Sequence, residues 1–554
     1  MKHHIDLRSC VIETEKYDYI IIGSGFGGSV SALRLTEKGY RVLLLEKGSR
    51  REARDFPKTN WDIKRWLWAP ALGFRGIFQV RPFAHMQVLA GAGVGGGSLT
   101  YANTLPIPKR GFFNSPGWAG LAEWEKELQP HYQTARRMLG AAASDFLSPA
   151  DELLRELAAE RGTPEAFEKP HVGVFMGSPG KRVPDPYFGG AGPERTGCIR
   201  CGACMTGCRH GAKNSLDKNY LYLAERNGLE LRPDTEVVHV APLAEGGYRV
   251  RARAGESYFW RTEQVFDGRN VVFAGGALGT NSLLLRLKQG AGALPKLSDR
   301  LGHRVRTNSE SLIAVTVPGS QHDHSTGIAI NSILQTDDHS HLEMVRMGAG
   351  SGLFRLLTIT PHIAGGNAFI VLLRILVALV MRPIMTLRTF LIRDWARATM
   401  ILLYMRSTEG TLRFVRNRFG WMSTRLEGGE RPDASIPEAT ALAQRIAEKA
   451  GGVAWSPFFE QLLNRPTTGH LLGGCCMGAT RELGVIDHQH RVHGYEGLFV
   501  VDGSAISANV GVNPSLTICA LAERAMSFIP MKQKSVTDGE RAAQGHPTQT
   551  TVSL

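Results

Sequence analysis

The feature that most constrains the fold is a glycine-rich turn near the N-terminus, Gly23-Ser-Gly-Phe-Gly-Gly28. The β-rich run Tyr17 to Ile22 precedes this turn, and the helix-like stretch Val30 to Lys38 and the apolar run Arg41 to Glu46 follow it. A strand, a glycine turn, a helix and a second strand within about thirty residues are typical of a βαβ unit. The sequence therefore predicts an α/β fold of the doubly wound, Rossmann-like type.

This turn has the residues that an anionic dinucleotide requires. Gly23 permits a tight turn, Gly25 lets backbone N–H groups approach a pyrophosphate, and Gly28 lets the helix pack on the strand. Glu46 ends the second strand 18 positions after Gly28, where a carboxylate accepts hydrogen bonds from ribose hydroxyls. The motif alone does not distinguish FAD from NAD.

Several later regions have the patterns of further elements of the same sheet. A second glycine cluster at 91–97 predicts a loop, because glycines disfavour the interior of an element. Strands are predicted at 231–240, 270–274 and 498–502, a small-residue turn at 275–279, and helices at 281–288 and 514–528.

The domain organisation is predicted to be discontinuous. The dinucleotide-binding domain is expected at 15–50, 85–110, 195–310 and 470–530. The segments 51–84, 111–194 and 311–469 carry more Trp, Pro and mixed patterning, as an interleaved α+β substrate-binding domain would. The polar composition of 535–554 predicts a mobile tail.

The formal charge of +14 is scattered, and no run of five or six basic residues occurs. Nucleic acid is therefore not expected as a partner, whereas a membrane surface or an anionic cofactor fits the excess. The charged N-terminus Met1 to Arg8 lacks the apolar stretch of a signal peptide. A cytoplasmic location, with peripheral contact to a membrane, is expected.

The most apolar stretch is 368–381, which continues through Pro383 to Arg393. Arg374 and Arg382 interrupt it, so no membrane-spanning helix is predicted. Two alternatives remain: a buried helix of the inserted domain, or a basic amphipathic face with Arg374, Arg382, Arg388 and Arg393 that lies on a bilayer.

Four of the eight cysteines have the spacing of bacterial ferredoxins, Cys-x2-Cys-x2-Cys-x3-Cys: Cys198, Cys201, Cys204 and Cys208. Arg209 stands where those proteins have proline. The alternatives are an iron–sulfur cluster, a zinc site, and reduced or disulfide-linked structural thiols. An iron–sulfur cluster at these cysteines would pass electrons from a reduced cofactor, one at a time, to an electron carrier. Without such a cluster, the reduced cofactor would pass its electrons to oxygen.

The sequence resembles the glucose-methanol-choline (GMC) oxidoreductase family, and within it the FAD-dependent cholesterol oxidases. The matching stretches are 17–46, Gly91-Ala-Gly-Val-Gly-Gly-Gly-Ser98, 211–220, 275–285, Gly469-His-Leu-Leu-Gly-Gly474, Val500-Val-Asp-Gly503 and Gly511-Val-Asn-Pro514. Residues 345–460 are not aligned with this family.

The resemblance implies a role for each matching position. The loop from Gly93 to Ser98, including Gly95 and Gly96, would wrap the flavin pyrophosphate and ribityl chain, and the Val237 backbone would hold the adenine. Asp502 and Gly503 would close on the ribityl chain and phosphates. His470 would hydrogen-bond the substrate hydroxyl, Asn513, which precedes Pro514, would face the flavin, and Glu343 would serve steroid isomerisation.

We therefore expect FAD-dependent oxidation of a hydroxyl on an apolar alcohol, a 3β-hydroxysteroid above all, to the ketone, with isomerisation if Glu343 is correctly placed. A histidine suits the removal of the hydroxyl proton. From the residues alone, His470 could equally be an ordinary loop residue, and Asn513 could equally be a helix N-cap or a turn residue. The alternatives are a dehydrogenase of another alcohol or sugar that uses a cluster, and a membrane-surface flavin-binding protein without catalysis.

Overall fold

The computed structural model describes residues 16–290, 293–356, 358, 360–361, 368–381, 383–408 and 410–533. The predicted tail at 535–554 and Arg382 lie outside the described residues.

The strands and α-helices alternate along most of the chain. The strands are β1 (Lys16–Ile22), β2 (Val42–Leu45), β3 (Trp68–Ala69), β4 (Phe74–Arg75), β5 (Phe78–Pro82), β6 (Gln87–Gly91), β7 (Ala142–Ala143), β8 (Phe167–Glu168), β9 (His171–Val172), β10 (Arg182–Val183), β11 (Arg195–Thr196), β12 (Glu230–Arg232), β13 (Thr235–Pro242), β14 (Tyr248–Ala254), β15 (Thr262–Phe273), β16 (Ser311–Thr316), β17 (Ile330–Gln335), β18 (Ser340–Val345), β19 (Thr360–Pro361), β20 (Thr399–Arg406), β21 (Thr411–Arg416), β22 (Met422–Gly428), β23 (Val453–Ser456), β24 (Thr467–Thr468) and β25 (Leu498–Val500). The α-helices are α1 (Phe26–Glu37), α2 (Ile63–Trp66), α3 (Arg110–Phe113), α4 (Trp124–Met138), α5 (Pro149–Glu160), α6 (Tyr220–Arg226), α7 (Gly276–Leu285), α8 (Ala368–Met381), α9 (Pro383–Leu391), α10 (Pro437–Ala450), α11 (Phe458–Leu463) and α12 (Ser515–Ser527).

The first sheet carries the predicted βαβ unit. Its strand order is β12-β2-β1-β15-β14-β13, and β25 also pairs with β15. Strand β1 pairs in parallel with β2 and β15, and β15 pairs in parallel with β25. The register aligns Ile22 with Phe273, and Phe273 with Val500. The turns that follow these strands therefore meet at one edge, where ligands of doubly wound folds bind.

Several local boundaries differ from the sequence predictions; for example, the strand predicted at 270–274 is the end of β15, which begins at Thr262. Helix α1 begins at Phe26 rather than Val30. The predicted turn at 275–279 is wrong for most of its length, because α7 already begins at Gly276. There Thr280 donates to the buried carboxylate of Asp502 at 2.5 Å, so tertiary contacts outweigh the low helix propensity of glycine. The predicted strand at 231–240 is two strands, interrupted where Asp234 takes a φ of 51°.

The second sheet is antiparallel and has the strand order β19-β23-β16-β20-β18-β17-β8. Helices α5 and α10 pack on it around a core that includes Leu154, Leu334 and Ile446. Helix α4, in a segment predicted for the substrate domain, packs instead against α12 of the first domain, with Tyr132 Oη 3.0 Å from Thr517 Oγ1. The exact domain boundaries stay a prediction.

The apolar helices α8 and α9 are mostly exposed. Only Val371 and Ile375 among the described apolar side chains of α8 are buried, which fits one contact face against α11 and β19. The outward residues are large: Phe369, Leu372, Leu373, Leu376, Val377, Val380, Met381, Ile384, Leu387, Phe390 and Leu391. The buried-helix alternative is therefore wrong. Within the described residues, no helix is long and apolar enough to cross a membrane, as the sequence predicts.

Candidate active site

The glycine turn at 23–28 forms a cradle at the carboxyl end of β1. Gly23 has a φ of 102°, and a Cβ on Gly28 would lie 2.0 Å from Gly23 O, so both positions require glycine. A Cβ on Gly25 would meet nothing within 4 Å and would point into open space. This space at the N-terminus of α1 fits a pyrophosphate that backbone N–H groups approach.

The second glycine loop closes on the first through Ser24. Ser24 Oγ accepts a hydrogen bond from Gly95 N at 3.0 Å and lies 3.2 Å from Gly93 O, while its proton goes to Glu46. Gly93, Gly95 and Gly96 all have positive φ, and a Cβ on Gly96 would lie 2.7 Å from Gly25 Cα. The two glycine loops thus line one cleft, as the resemblance implies.

Ser98 fixes the far end of the second loop. Its hydroxyl donates to Gly95 O at 2.7 Å and accepts from Leu216 N at 3.0 Å. Ser98 and Leu216 are both buried, so the hydroxyl of Ser98 in this structure holds the loop in its conformation. A contact between Ser98 and a flavin stays a prediction.

The two predicted carboxylates are buried and already hydrogen-bonded within the protein. Glu46 accepts from Ser24 N at 3.0 Å, from Ser24 Oγ at 2.7 Å and from Gly48 N at 2.9 Å. Asp502 accepts from Ser504 N at 2.8 Å, and burial raises the pKa of its carboxyl. Both groups hold backbone beside the cleft, and their direct contact with a dinucleotide stays a prediction.

The remaining predicted cofactor positions lie around the same sheet edge. Val237 lies on β13 directly before a break in the register with β14. Gly503 follows Asp502 at the start of a short 3-10 turn, and Pro514 is the N-cap residue of α12. The N-cap alternative for Asn513 is therefore wrong, because Pro514 occupies that position.

The three predicted catalytic residues meet in one buried polar cluster. Asn513 Nδ2 donates to Glu343 Oε2 at 3.3 Å and lies 3.4 Å from His470 Nε2. His470 follows β24, Glu343 lies on β18 and Asn513 precedes α12, so the cluster joins both domains. The buried atoms Asn513 Oδ1 and Glu343 Oε1 have no hydrogen-bond partner among the residues that the structure describes. Such atoms are what a polar substrate group or cofactor would satisfy.

Two members of this cluster were not predicted from the sequence. Glu310 accepts hydrogen bonds from His470 Nδ1 and, at 2.9 Å, from Gly469 N. His341 Nε2 lies 3.4 Å from Glu343 Oε1, without hydrogen-bond geometry. Glu310 precedes β16, 160 residues before His470, and no local motif surrounds it. Its pairing with His470 arises only from tertiary structure.

The state of His470 follows from its two ring partners. The Nδ1 proton is assigned from the acceptor Glu310, which leaves the Nε2 lone pair towards Asn513. Burial lowers the pKa of His470, but the charge and hydrogen bond of Glu310 outweigh burial and raise it overall. The ring can therefore accept a proton at Nε2.

The four clustered cysteines are partly buried, and the described cysteines form no disulfide. Burial raises the pKa of Cys198 to about 12 and that of Cys204 to about 11, with further raising from the neighbouring thiols. In the part of the chain that the structure describes, no three His, Cys, Asp or Glu side chains are placed so that they could hold a metal ion. This arrangement does not support the zinc alternative.

Comparison with known proteins identifies the family. Models of the GMC oxidoreductases match residues 193–305 and 404–522, and a model of the NAD(P)-binding Rossmann-like domain matches 21–51. The chain is 44% identical to a cholesterol oxidase of Acinetobacter baumannii over 94% of this chain and 96% of that protein. It is 46% identical to a cholesterol oxidase of Mycobacterium tuberculosis over 96% of this chain and 93% of that protein.

A solved structure agrees with the fold. Pyridoxine 4-oxidase from Mesorbium loti superposes with a TM-score of 0.57 at 16% sequence identity, over 92% of this chain and 99% of that chain. With the family models and the two near full-length relatives, these observations establish that the chain belongs to the GMC oxidoreductase family.

Proposed function

We propose that this protein is an FAD-dependent alcohol oxidase that converts the hydroxyl of a 3β-hydroxysteroid, such as cholesterol, to the ketone. The observation that carries the proposal is the buried cluster of His470, Asn513 and Glu343. The relatives at 44% and 46% identity, both named cholesterol oxidases, support the sterol as substrate. Family membership supports FAD as the cofactor.

The cofactor would lie in the cleft between the two glycine loops. Gly23, Gly25 and Gly28 would hold the pyrophosphate at the N-terminus of α1, and Glu46 would accept from the ribose. Gly93, Gly95, Gly96 and Ser98 would line the ribityl chain, with Asp502, Gly503 and Pro514 on the opposite side. Val237 would contact the adenine through its backbone. The open space beside Gly25 supports this arrangement.

The proton chemistry belongs to the protein. When bound, FAD would supply the acceptor for the hydride that leaves the carbinol carbon. Dioxygen would be the final electron acceptor and would be reduced to hydrogen peroxide. His470 Nε2 takes the hydroxyl proton while the C–O bond becomes C=O. Asn513 Nδ2 lies 3.4 Å from that nitrogen and orients the substrate oxygen beside it.

Glu343 gives the site a second proton-transfer group. Its Oε1 is buried and has no hydrogen-bond partner in the described part of the chain, which supports a role in moving a proton of the steroid ketone to give the conjugated 4-en-3-one. Glu343→Gln should then still oxidise the sterol but accumulate the unconjugated ketone. Ultraviolet absorbance of the conjugated product measures this, and undiminished conjugation would remove Glu343 from the isomerisation.

The experiment that tests the main proposal is an anaerobic titration of the yellow protein with cholesterol. Bleaching of the flavin followed by recovery with air supports a sterol oxidase. If only other alcohols or sugars bleach the flavin, the substrate is one of these compounds and not a sterol. A flavin that no alcohol bleaches would leave a flavin-binding protein without catalysis.

The second candidate is a dehydrogenase with an iron–sulfur cluster at Cys198 to Cys208. The ferredoxin spacing supports it, and Lys213 joins Cys204 O to Leu99 O and Tyr101 O beside the second glycine loop, each at 2.9 Å. The thiols as placed do not fit a metal ion, so no step is derived through a cluster. Iron and sulfide assays on anaerobically purified protein decide, because a metal-free active enzyme excludes this candidate.

The exposed apolar surface of helices α8 and α9 supports a membrane surface as a binding partner. Their outward side chains are large and apolar, and Arg388 and Arg393 are exposed beside them, which complements anionic lipid. Helix α8 packs on α11, and Glu460 of α11 accepts a hydrogen bond from Thr467 N at 3.2 Å. Thr467 lies three residues before His470. An apolar substrate could thus leave a bilayer close to the site. A cytoplasmic location remains part of this proposal.

Liposome flotation tests this contact. Leu373 and Leu376 are each 52% exposed on α8, whereas Leu483 is 54% exposed elsewhere. With vesicles containing phosphatidylserine, the double variant Leu373→Asp and Leu376→Asp should stay unbound, and Leu483→Asp should float like the wild type. Equal flotation of all three would reject the membrane contact. A wild-type dimer that the double variant abolishes would assign the patch to a second copy instead.

A further inference from the structure

The ring of His470 is anchored by a carboxylate that neither the sequence motifs nor the family models single out. Glu310 is 2% exposed and uses both carboxylate oxygens on the same loop. Oε1 accepts from His470 Nδ1, and Oε2 accepts from Gly469 N at 2.9 Å. His470 N in turn donates to Thr468 Oγ1 at 3.1 Å. Ring and backbone are therefore fixed together.

The segment that carries Glu310 is itself held in place. Asn308 Nδ2 donates to Val512 O at 2.8 Å, next to Asn513. Arg306 and Leu472 exchange backbone hydrogen bonds at 2.9 and 3.0 Å. Glu310 thus stands on a strip of chain that hydrogen bonds tie to the segments of His470 and Asn513.

A second buried carboxyl lies behind Glu310. Glu460 on α11 is 5% exposed and accepts from Thr467 N at 3.2 Å. Burial, with a further contribution from the charge of Glu310, raises the pKa of Glu460 to about 8. Burial thus favours the neutral form of Glu460, whereas Glu310 keeps both of its hydrogen-bond donors on the loop of the histidine.

We propose that Glu310 is the positioning residue of the reaction, which holds His470 by Nδ1 so that Nε2 faces the substrate hydroxyl and stabilises the ring once it has taken the proton. The inference rests on the proposed function, because it assigns the group behind His470 in that same site. The other charged group that faces His470 is Glu343, and His341 lies beyond it. Neither of these contacts Nδ1.

The substitution Glu310→Gln separates charge from shape. The amide oxygen can still accept from Nδ1, whereas the amide NH2 replaces the oxygen that accepts from Gly469 N, and the charge that raises the pKa of His470 is lost while burial remains. The acidic limb of the kcat/KM profile should move to lower pH by about one unit or more. The kcat should fall on the order of tenfold or more, because the charged ring is no longer stabilised. Glu310→Asp keeps the charge and should restore the limb toward its wild-type position.

The chain offers a matched control in a second histidine–glutamate pair. His303 Nδ1 lies 2.5 Å from Glu427 Oε1, and this pair makes no hydrogen bond to His470. Glu427→Gln should leave the pH profile of turnover in place. If it moves the profile as Glu310→Gln does, the effect is one of overall charge and the proposal is overturned.

Labelling with diethyl pyrocarbonate gives a readout that does not require turnover. The reagent modifies neutral imidazole, and the His470 side chain is 16% exposed. Peptide mass spectrometry over a range of pH gives the pH at which labelling of each histidine is half-maximal. In Glu310→Gln this pH should be lower for His470 than in the wild type, and unchanged for His303 in the same sample. An unchanged His470 profile overturns the proposal. If the wild type fails to oxidise sterol while the shift persists, the proposed function falls and the role of Glu310 stands.

Discussion

His470 is held from both sides of its imidazole ring, by Glu310 at Nδ1 and by Asn513 at Nε2. The motif around His470 was sufficient to single out this residue, because the residues that carry the motif are contiguous; its catalytic role stays a prediction. Glu310 was not predictable, because 160 residues separate it from His470 and only the packing of its segment against 470–472 and 512 brings it there. Proximity in space without a sequence pattern limits prediction at the residue scale.

His470→Ala should retain FAD and lose turnover by about 10²–10⁴-fold, the usual contribution of a general base. FAD should be retained because no hydrogen bond joins His470 to the described residues of the two glycine loops. Flavin absorbance and kcat measure the two effects. His303→Ala, which removes a histidine outside the cluster, is the control. Unchanged turnover of His470→Ala would assign proton removal to another group.

At the scale of elements, the βαβ unit was predictable because its determinants are local. Strands β1 and β2 and helix α1 are confirmed with small boundary shifts. Helices α8 and α9 show the opposite case. Their composition predicts helix, but it could not decide between burial and exposure, because that depends on whether another element covers them.

Two glycines of the turn should respond differently to alanine. In Gly25→Ala the Cβ points into open space, so the fold should be kept while FAD affinity falls, about tenfold or more, because the methyl occupies the pyrophosphate position. In Gly28→Ala the Cβ would lie 2.0 Å from Gly23 O, so the fold itself should be destabilised by about 1–3 kcal/mol or more.

Thermal unfolding of the FAD-free proteins and FAD titration separate these effects. The free energy of unfolding of FAD-free Gly25→Ala should match the wild type, and that of Gly28→Ala should not. Normal FAD affinity in Gly25→Ala would show that the pyrophosphate does not approach this position.

At the scale of the whole molecule, the site is assembled from both sheets. Glu343 comes from the antiparallel sheet, and Asn513 lies two residues before α12, which packs on α1 of the first domain. The resemblance covers both ends and the middle of the chain, which explains why the fold class was predictable and why the three predicted catalytic residues could be named; their catalytic roles stay predictions. None of the motifs that carry the resemblance lies in 345–460, so the contacts of α8, α9 and Glu460 emerged only from tertiary structure.

Glu460 couples the stability of the whole molecule to pH. In the unfolded chain its carboxyl ionises near its ordinary pKa of 4.5, whereas in the folded protein it stays protonated to about pH 8. The folded state then binds one more proton than the unfolded state between these values, so this group lowers the free energy of unfolding as pH rises from about 4.5 to about 8.

The variant Glu460→Gln tests this coupling, because its side chain cannot ionise in either state. Its melting temperature should therefore fall less between pH 5 and pH 8 than that of the wild type, whereas Glu438→Gln, which removes a carboxyl that is 58% exposed, should follow the wild type. If the melting temperatures of Glu460→Gln and the wild type fall by the same amount between pH 5 and pH 8, burial does not keep the Glu460 carboxyl protonated in the folded protein.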